Sequence, residues 1–378
     1  MDLQLLDQTL ADRGEPRFRA RQVWAWAARG ASGYHEMTDL PAELREALAR
    51  ELPFSTLSVR DEAHSRDGTV KALFDTADGR PLEAVLMRYR SPPGAGGPAG
   101  GGVGRRSICV SSQSGCPLTC TFCATGAMRF ARNLTASEIL DQALHFRRVE
   151  AIDHCVFMGM GEPMLNLDNV LAACERLPDL GITHRRTTIS TVGWIPGIER
   201  LTECEMPLRL ALSLHAADEA LRSQLMPVNE RYPLSEVIDA CRAFYARKRR
   251  RVFVEYVMLA GVNDRYEQAL ALADTLASGR EAQPIFKVNL IPYNPTHAGA
   301  YEGSSRESIA AFRGALESRG VPVTVRLTRG RDIDAACGQL AARATELDGA
   351  YEDAWDTWES GSEAAVWEPA TGDGVTDI

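Results

Sequence analysis

Within SICVSSQSGCPLTCTFCATG, residues 107–126, four of the chain's nine cysteines occupy fifteen positions. Cys116, Cys120 and Cys123 keep a C-x3-C-x2-C spacing, which lets one loop converge three thiols on a metal centre. A structural zinc site takes four protein ligands and usually pairs a C-x2-C with a second pair elsewhere. The nearby candidates for a fourth ligand, His154 and Cys155, have no matching spacing. An iron–sulfur cluster normally takes four thiolates, so three leave one iron open to a small molecule. The spacing therefore favours a cluster over zinc. Cys109 stands seven residues upstream of the triplet, and taken alone it reads as an inward-facing strand cysteine. Cys155, Cys174 and Cys241 sit in apolar or helical runs and, with Cys204 in LTECEMP, read as core or near-core residues.

Such a loop needs a scaffold that presents it at a rim. From residue 105 onward strand and helix patterns alternate. RRSICVSS, HCVFMG, RRTTIST, LRLALSLH, RVFVEYVML, FKVNLIPYN and PVTVRLT read as strands, with amphipathic segments such as TASEILDQALHFRRV between them. That alternation predicts a parallel sheet, closed or partly closed as a β/α barrel, whose site lies at the C-terminal ends of the strands. Polar residues gather at those ends: GMGE at 159–162, Ser190, Ser213, His215, Asn289 and Asn294. Residues 1–55 read as a helical module, in which Phe18, Val23, Trp24 and Ala27 have helical spacing. Residues 56–104 read as a β segment with an Asp-Gly bend followed by a Gly/Pro-rich loop. The barrel then takes 105–345 and an acidic, disordered tail 346–378.

Composition narrows the class. With 45% hydrophobic and 25% charged residues the chain reads as an ordinary soluble protein. No apolar run approaches the ~20 residues of a membrane span, and the acidic start lacks a signal-peptide pattern. These features predict a cytoplasmic protein with reduced thiols. The net charge of −9 is concentrated at the end, because residues 346–377 carry ten acidic side chains and no basic one. Without them 42 basic side chains face 41 acidic ones, and basic clusters emerge at Arg147–Arg148, Arg185–Arg186 and Arg247–Arg251. Each is ordinarily a solvated face; together they permit contact with RNA phosphates.

Three cysteines with Phe122 just before the last, backed by a barrel pattern, resemble the radical S-adenosylmethionine (SAM) superfamily. GMGEPMLNLDNV, TISTVGWIPGI, LALSLHA, FVEYVML, NLIPYNP and TRGRDIDAACGQL narrow that resemblance to the RlmN family, adenine C2 methyltransferases of 23S rRNA and tRNA. The similarity runs from about residue 17 to 343 and includes EPRFRARQVWAWAARG and HEMTDLP. It implies a partial (β/α)6-type barrel with an N-terminal helical accessory domain and a small β segment. It also implies a [4Fe-4S] cluster on Cys116, Cys120 and Cys123, and two SAM molecules per turnover held by Gly161, Glu162, Ser190, Ser213, Leu214, His215 and Asn294. Cys337 in AACGQL matches the methyl carrier, Cys109 the thiol that resolves the protein–RNA adduct by disulfide formation, and Glu83 the proton acceptor. The implied partners are 23S rRNA and tRNA and an electron donor such as flavodoxin or ferredoxin, with the chain acting as a monomer.

The chain departs from the family pattern in three places: the Gly-rich insertion at 91–104, Met128 and Arg129 where small residues are the pattern, and the acidic tail. Two other functions compete with C2 methylation. One is methylation at C8 of the same adenine. The other is a metal-containing RNA-binding protein without turnover.

Overall fold

The computed structural model describes residues 1–89, 104–277, 284–294, 301–326, 329–333 and 339–341. Three helices lead the chain: α1 (Leu3–Asp12), α2 (Phe18–Arg29) and α3 (Ala42–Glu51). Asp2 caps α1 by accepting the backbone N–H groups of Gln4 and Leu5, and Gly30 ends α2 in the left-handed region. Val23, Trp24 and Ala27 are buried as their spacing predicts, whereas Phe18 is exposed. This first helical position has its side chain on the outer face, with the Arg19 guanidinium over its ring.

Antiparallel strands β1 (Leu57–His64), β2 (Val70–Thr76) and β3 (Pro81–Arg88) follow. The β2–β3 turn runs through Asp78-Gly79, and the Gly79 N–H donates to the Thr76 carbonyl. β3 pairs antiparallel with β4 (Arg106–Cys109), so the hairpin strands extend the barrel sheet. A short ladder of β5 (Gln113–Ser114) and β6 (Arg132–Asn133) brackets the cysteine loop and the short helix α4 (Ala124–Ala127).

The parallel part starts at β4 and continues through α5 (Ala136–Val149), β7 (His154–Phe157), α6 (Leu167–Arg176), β8 (Thr187–Thr191), α7 (Ile195–Glu203) and β9 (Arg209–Ser213). Then come α8 (Glu219–Leu225), α9 (Leu234–Lys248), β10 (Val252–Met258), α10 (Tyr266–Ala277), β11 (Phe286–Pro292), α11 (Arg306–Ser318) and β12 (Val323–Val325). The sheet order is β1-β2-β3-β4-β7-β8-β9-β10-β11-β12, and every pair from β4 to β12 is parallel. Six strand–helix units and a closing strand therefore form an open, partial (β/α)6-type barrel, with β1 and β12 at its edges. The strand sequences fit this burial: Ile189, Leu210, Leu212, Val254 and Leu290 are all fully covered.

A capping box starts α5, in which Thr135 accepts the Glu138 N–H and Glu138 accepts the Thr135 N–H. Asp141 on the same helix accepts the Thr56 N–H at 2.6 Å and the Thr56 hydroxyl at 2.7 Å. The Trp24 indole N–H donates to Asp179 at 2.7 Å. These bonds fasten the leading helices to the barrel, and one continuous apolar core runs through both. The tail at 346–378, residues 91–103 of the Gly/Pro stretch and Cys337 lie outside the described residues.

Candidate active site

The cysteine loop leaves the C-terminal end of β4 and is clamped on both sides. Ser111 donates its hydroxyl to the Glu83 carbonyl at 2.6 Å and accepts the Met160 N–H at 2.8 Å. Gln142 on α5 accepts the Ser111 N–H at 2.8 Å and donates to the Ser111 carbonyl at 3.0 Å. The GMGE turn after β7 presses directly on this stretch. A Cβ on Gly159 would lie 2.7 Å from the Val110 carbonyl, and one on Gly161, at φ +93°, would lie 2.5 Å from Gln113 Cβ. Both glycines are required by close backbone approach.

Cys116, Cys120 and Cys123 sit on this loop as half-buried free thiols. Burial pushes the Cys116 thiol up to about 12, and the charges of Cys123 and Glu162 add to the shift. Cys120 and Cys123 are also raised, chiefly by burial, and Cys120 feels the charge of both other cysteines. Among the described residues no group of three ligand-type side chains is drawn together around a single metal ion. What the loop supplies is three mutually repelling sulfurs, for which the positive charge of iron is the natural compensation. A three-thiol set without a fourth protein donor fits a [4Fe-4S] cluster that keeps one iron for SAM. Phe122 packs edge-on against the His215 ring, with centroids 4.7 Å apart.

The residues expected to hold SAM line neighbouring strand ends. Glu162 is buried, and burial raises its carboxyl to about 7 although the Val192 and Met164 N–H groups oppose the shift. Its two oxygens accept those groups, at 3.0 Å from Val192 and 3.1 Å from Met164. The Thr191 hydroxyl also hydrogen-bonds this carboxyl. The Ser190 and Ser213 hydroxyls meet at 3.3 Å, and the Leu214 N–H donates to the Glu255 carbonyl at 3.0 Å. His215 is buried in the left-handed region at φ 60°, and its Nδ1 accepts the Val257 N–H at 3.0 Å. Burial, reinforced by Arg222, lowers its pKa to about 3. The ring is therefore neutral with its proton on Nε2. Asn294 is half-buried beyond the end of β11.

A second group lies across β2, β3 and β4. Val85 is paired with Lys71 on one side and with Cys109 on the other, and Glu83 is two residues from Val85. Lys71, Glu83, Val85 and Cys109 therefore share one face of the sheet. Glu83 is buried, although a glutamate in a β-hairpin is ordinarily solvated. Its Oε2 lies 3.0 Å from Lys71 Nζ, and its Oε1 accepts the Ala341 N–H at 2.6 Å. Burial pushes the Cys109 thiol up to about 11, while the Met158 N–H and the Arg326 guanidinium act in the opposite direction. Arg326 Nη1 lies 3.6 Å from Glu255 Oε2. Glu255 also accepts the Asn289 amide at 2.8 Å and is in register with Ser213.

Sequence reasoning missed Lys71, Glu255 and Arg222. A lysine inside the apolar strand VKALF demands a buried acid, which was the available signal. Arg222 is fully buried and donates to the Val192 carbonyl at 2.6 Å, to the Leu214 carbonyl and to Asn229. It pins together the turns after β8 and β9, and nothing in DEALRSQL distinguishes it from a surface arginine. Cys155, Cys174 and Cys241 are buried and Cys204 is half-buried, as expected. Every described cysteine is a free thiol, so no disulfide exists among them.

Comparison with known proteins agrees with this geometry. The family model described as "Radical SAM superfamily" matches residues 110–273, and "Ribosomal RNA large subunit methyltransferase N-terminal domain" matches residues 1–52. A "Probable dual-specificity RNA methyltransferase RlmN" of Thermus thermophilus is 44% identical over 350 residues, 90% of this chain and 93% of that protein. The "Dual-specificity RNA methyltransferase RlmN" of Anaeromyxobacter sp. is 42% identical over 356 residues, 90% of this chain and 89% of its own. The crystal structure of a radical SAM methyltransferase from Sphaerobacter thermophilus superposes with a TM-score of 0.79 at 42% identity, covering 90% of this chain and 97% of that one. Superfamily membership brings a [4Fe-4S] cluster and SAM with it, and the three-thiol loop suits both. The chain thus belongs to the RlmN family and is a radical SAM RNA methyltransferase.

Proposed function

We propose that the enzyme methylates C2 of a specific adenosine in 23S rRNA and in tRNA, with Cys337 as methyl carrier, Cys109 as resolving thiol and Glu83 as proton acceptor. Carbon 2 of adenine is electron-poor and does not attack the SAM methyl directly, so a nucleophilic carrier is required. SAM, bound at the cluster, supplies both the methyl group and the radical that activates it. The remaining work falls to the chain's own residues. The methyl carbon on the Cys337 sulfur would give one hydrogen atom to that radical and bond to C2, and the electron left when the C2 proton departs would pass to the bound cluster. Glu83 takes the C2 proton. Cys109 as thiolate attacks the Cys337 sulfur, the carbon–sulfur bond breaks, a disulfide forms and the released methylene is protonated to methyl. A thiol reductant then restores both cysteines.

One observation carries this reading. Cys109 and Glu83 share a face of the sheet, and Glu83 accepts the N–H of Ala341, four residues from Cys337 in sequence. Cys109 also lies outside the cluster spacing, which keeps its sulfur free of iron. Adenine C2 is stacked within a helix, so the target base must be unpaired and splayed into the barrel mouth. Gly161, Glu162, Ser190, Ser213, Leu214, His215 and Asn294 are assigned to SAM on the same reading.

The decisive test is Cys109→Ala expressed with its host RNA. A stable protein–RNA adduct through Cys337 should accumulate, and it should be absent from the Cys109→Ala/Cys337→Ala double variant. Normal turnover by Cys109→Ala would remove its assigned role. Mass spectrometry of digested RNA against 2-methyl and 8-methyl adenosine separates the two regiochemistries.

A further inference from the structure

We propose that the rim of the barrel sheet opposite the active site is a second RNA-contact surface, built to hold phosphates of a large folded RNA outside the target loop. This rests on the RNA-methyltransferase reading and adds a surface to it. Arg105 directly precedes β4, Arg185 and Arg186 precede β8, Arg209 opens β9, and Arg250 and Arg251 precede β10. These strands are parallel and neighbours in the order β4-β7-β8-β9-β10. At about 4.8 Å between strands, the sheet gathers arginines that are far apart in sequence on one edge.

Among the described residues Arg105, Arg185, Arg186, Arg209 and Arg250 form no ion pair, whereas Arg313 of α11 and Arg319 at its end do, with Glu317 and Asp274. The guanidinium of Arg209 is disfavoured by burial and then by Arg105 and Arg186, and that of Arg250 by burial and then by Arg185 and Arg209. Of the acids at this end of the sheet, Asp153 is engaged with His154, and Glu203 and Glu205 act on Lys248. Arg105 lies 4.1 Å above the Tyr89 ring, which orients its planar group. A concentration of arginine that the protein leaves unneutralised suits phosphate, which guanidinium binds in a forked geometry.

Position decides which part of the RNA is involved. The cysteine loop after β4 and the residues assigned to SAM stand at the C-terminal strand ends, and strands of five to seven residues set the two rims about 17–23 Å apart. Nucleotides in the mouth do not reach this edge, so it must engage a separate helical segment of the substrate. A minimal stem–loop carrying the target adenosine should then be indifferent to it.

The test compares the full-length holoenzyme with the triple variant Arg185→Gln/Arg186→Gln/Arg250→Gln. The control is Arg200→Gln/Arg313→Gln/Arg319→Gln, which removes the same charge from arginines paired with carboxylates. Methylation is measured on a large folded 23S rRNA fragment and on a minimal stem–loop over a range of salt. For the large RNA, KM should rise about tenfold at low salt with kcat unchanged, and the salt slope should flatten by roughly two to three units. Constants for the stem–loop should not move, and the control should match the parent. An unchanged KM for the large RNA, an equal loss on both RNAs, or an equal loss in the control would each overturn the proposal. Tighter binding of the large RNA would assign the rim to the acidic 346–377 segment instead and overturn it. A parent enzyme that methylates neither RNA would overturn the function itself, an outcome visible before any variant is compared.

Discussion

Lys71 and Glu83 show how much one buried pair decides at the residue scale. Both side chains are almost fully covered, and Nζ and Oε2 stand 3.0 Å apart. Removing one partner leaves a buried charge without compensation, which typically costs about 3–5 kcal/mol. Lys71→Met should therefore lower the thermal midpoint well beyond an average substitution. Lys71→Met/Glu83→Gln should regain much of that loss, because no charge is then stranded. Anaerobic calorimetry of the two variants checks this, and equal destabilisation of both would mean that the pairing is not what Lys71 contributes. The Lys71–Glu83 partnership is invisible in the chain order, since the residues are twelve apart in different strands and meet only through the β2–β3 register.

At the element scale the cysteine loop is shaped by its bracket. Gly115, next to Cys116, lies at φ +71°, and a Cβ there would stand 2.2 Å from the Arg129 carbonyl oxygen across the β5–β6 ladder. Gly79 has the same φ of +71°, yet a Cβ there meets nothing within 4 Å. Both alanine variants should lose roughly 1–2 kcal/mol from backbone strain. Gly115→Ala alone must also displace the loop. It should bind severalfold less iron per chain than Gly79→Ala, measured by metal analysis and visible absorbance, and equal iron contents would separate the bracket from cluster assembly. The seven strands of the parallel sheet and the α5 start were legible in the sequence because their periodicity and capping box are local signals. The continuity of β3 with β4 was not, because antiparallel pairing across an insertion leaves no local trace.

For the whole molecule, the uneven charge is the governing feature. Residues 346–377 hold ten acids and no base, whereas the rest of the chain is close to neutral and gathers several arginines without ion pairs on one rim. An anionic segment on the same chain lowers the long-range attraction of the whole protein for nonspecific RNA. Deleting 346–378 should therefore raise affinity for unrelated RNA several-fold at low salt, and the difference should vanish near 1 M salt, where the screening length is ~3 Å. Filter binding across a salt series reads this directly, and no change at low salt would end the idea. Among the described residues no helix is long and apolar enough to cross a membrane.

The strand–helix alternation and the long family motifs were sufficient by themselves to give the barrel class and the family, and the cysteine spacing nominates the cluster ligands. Each is a local pattern whose chemistry depends on residue type and spacing. Only the tertiary structure decided that Glu83 is a buried, paired acid and that His215 is a neutral ring held by a backbone N–H. It also decided that scattered arginines converge on the rim away from the site. Those facts depend on strand register and sheet order, which bring distant residues within a few ångströms, and the chain's sequence encodes such contacts only through the fold as a whole.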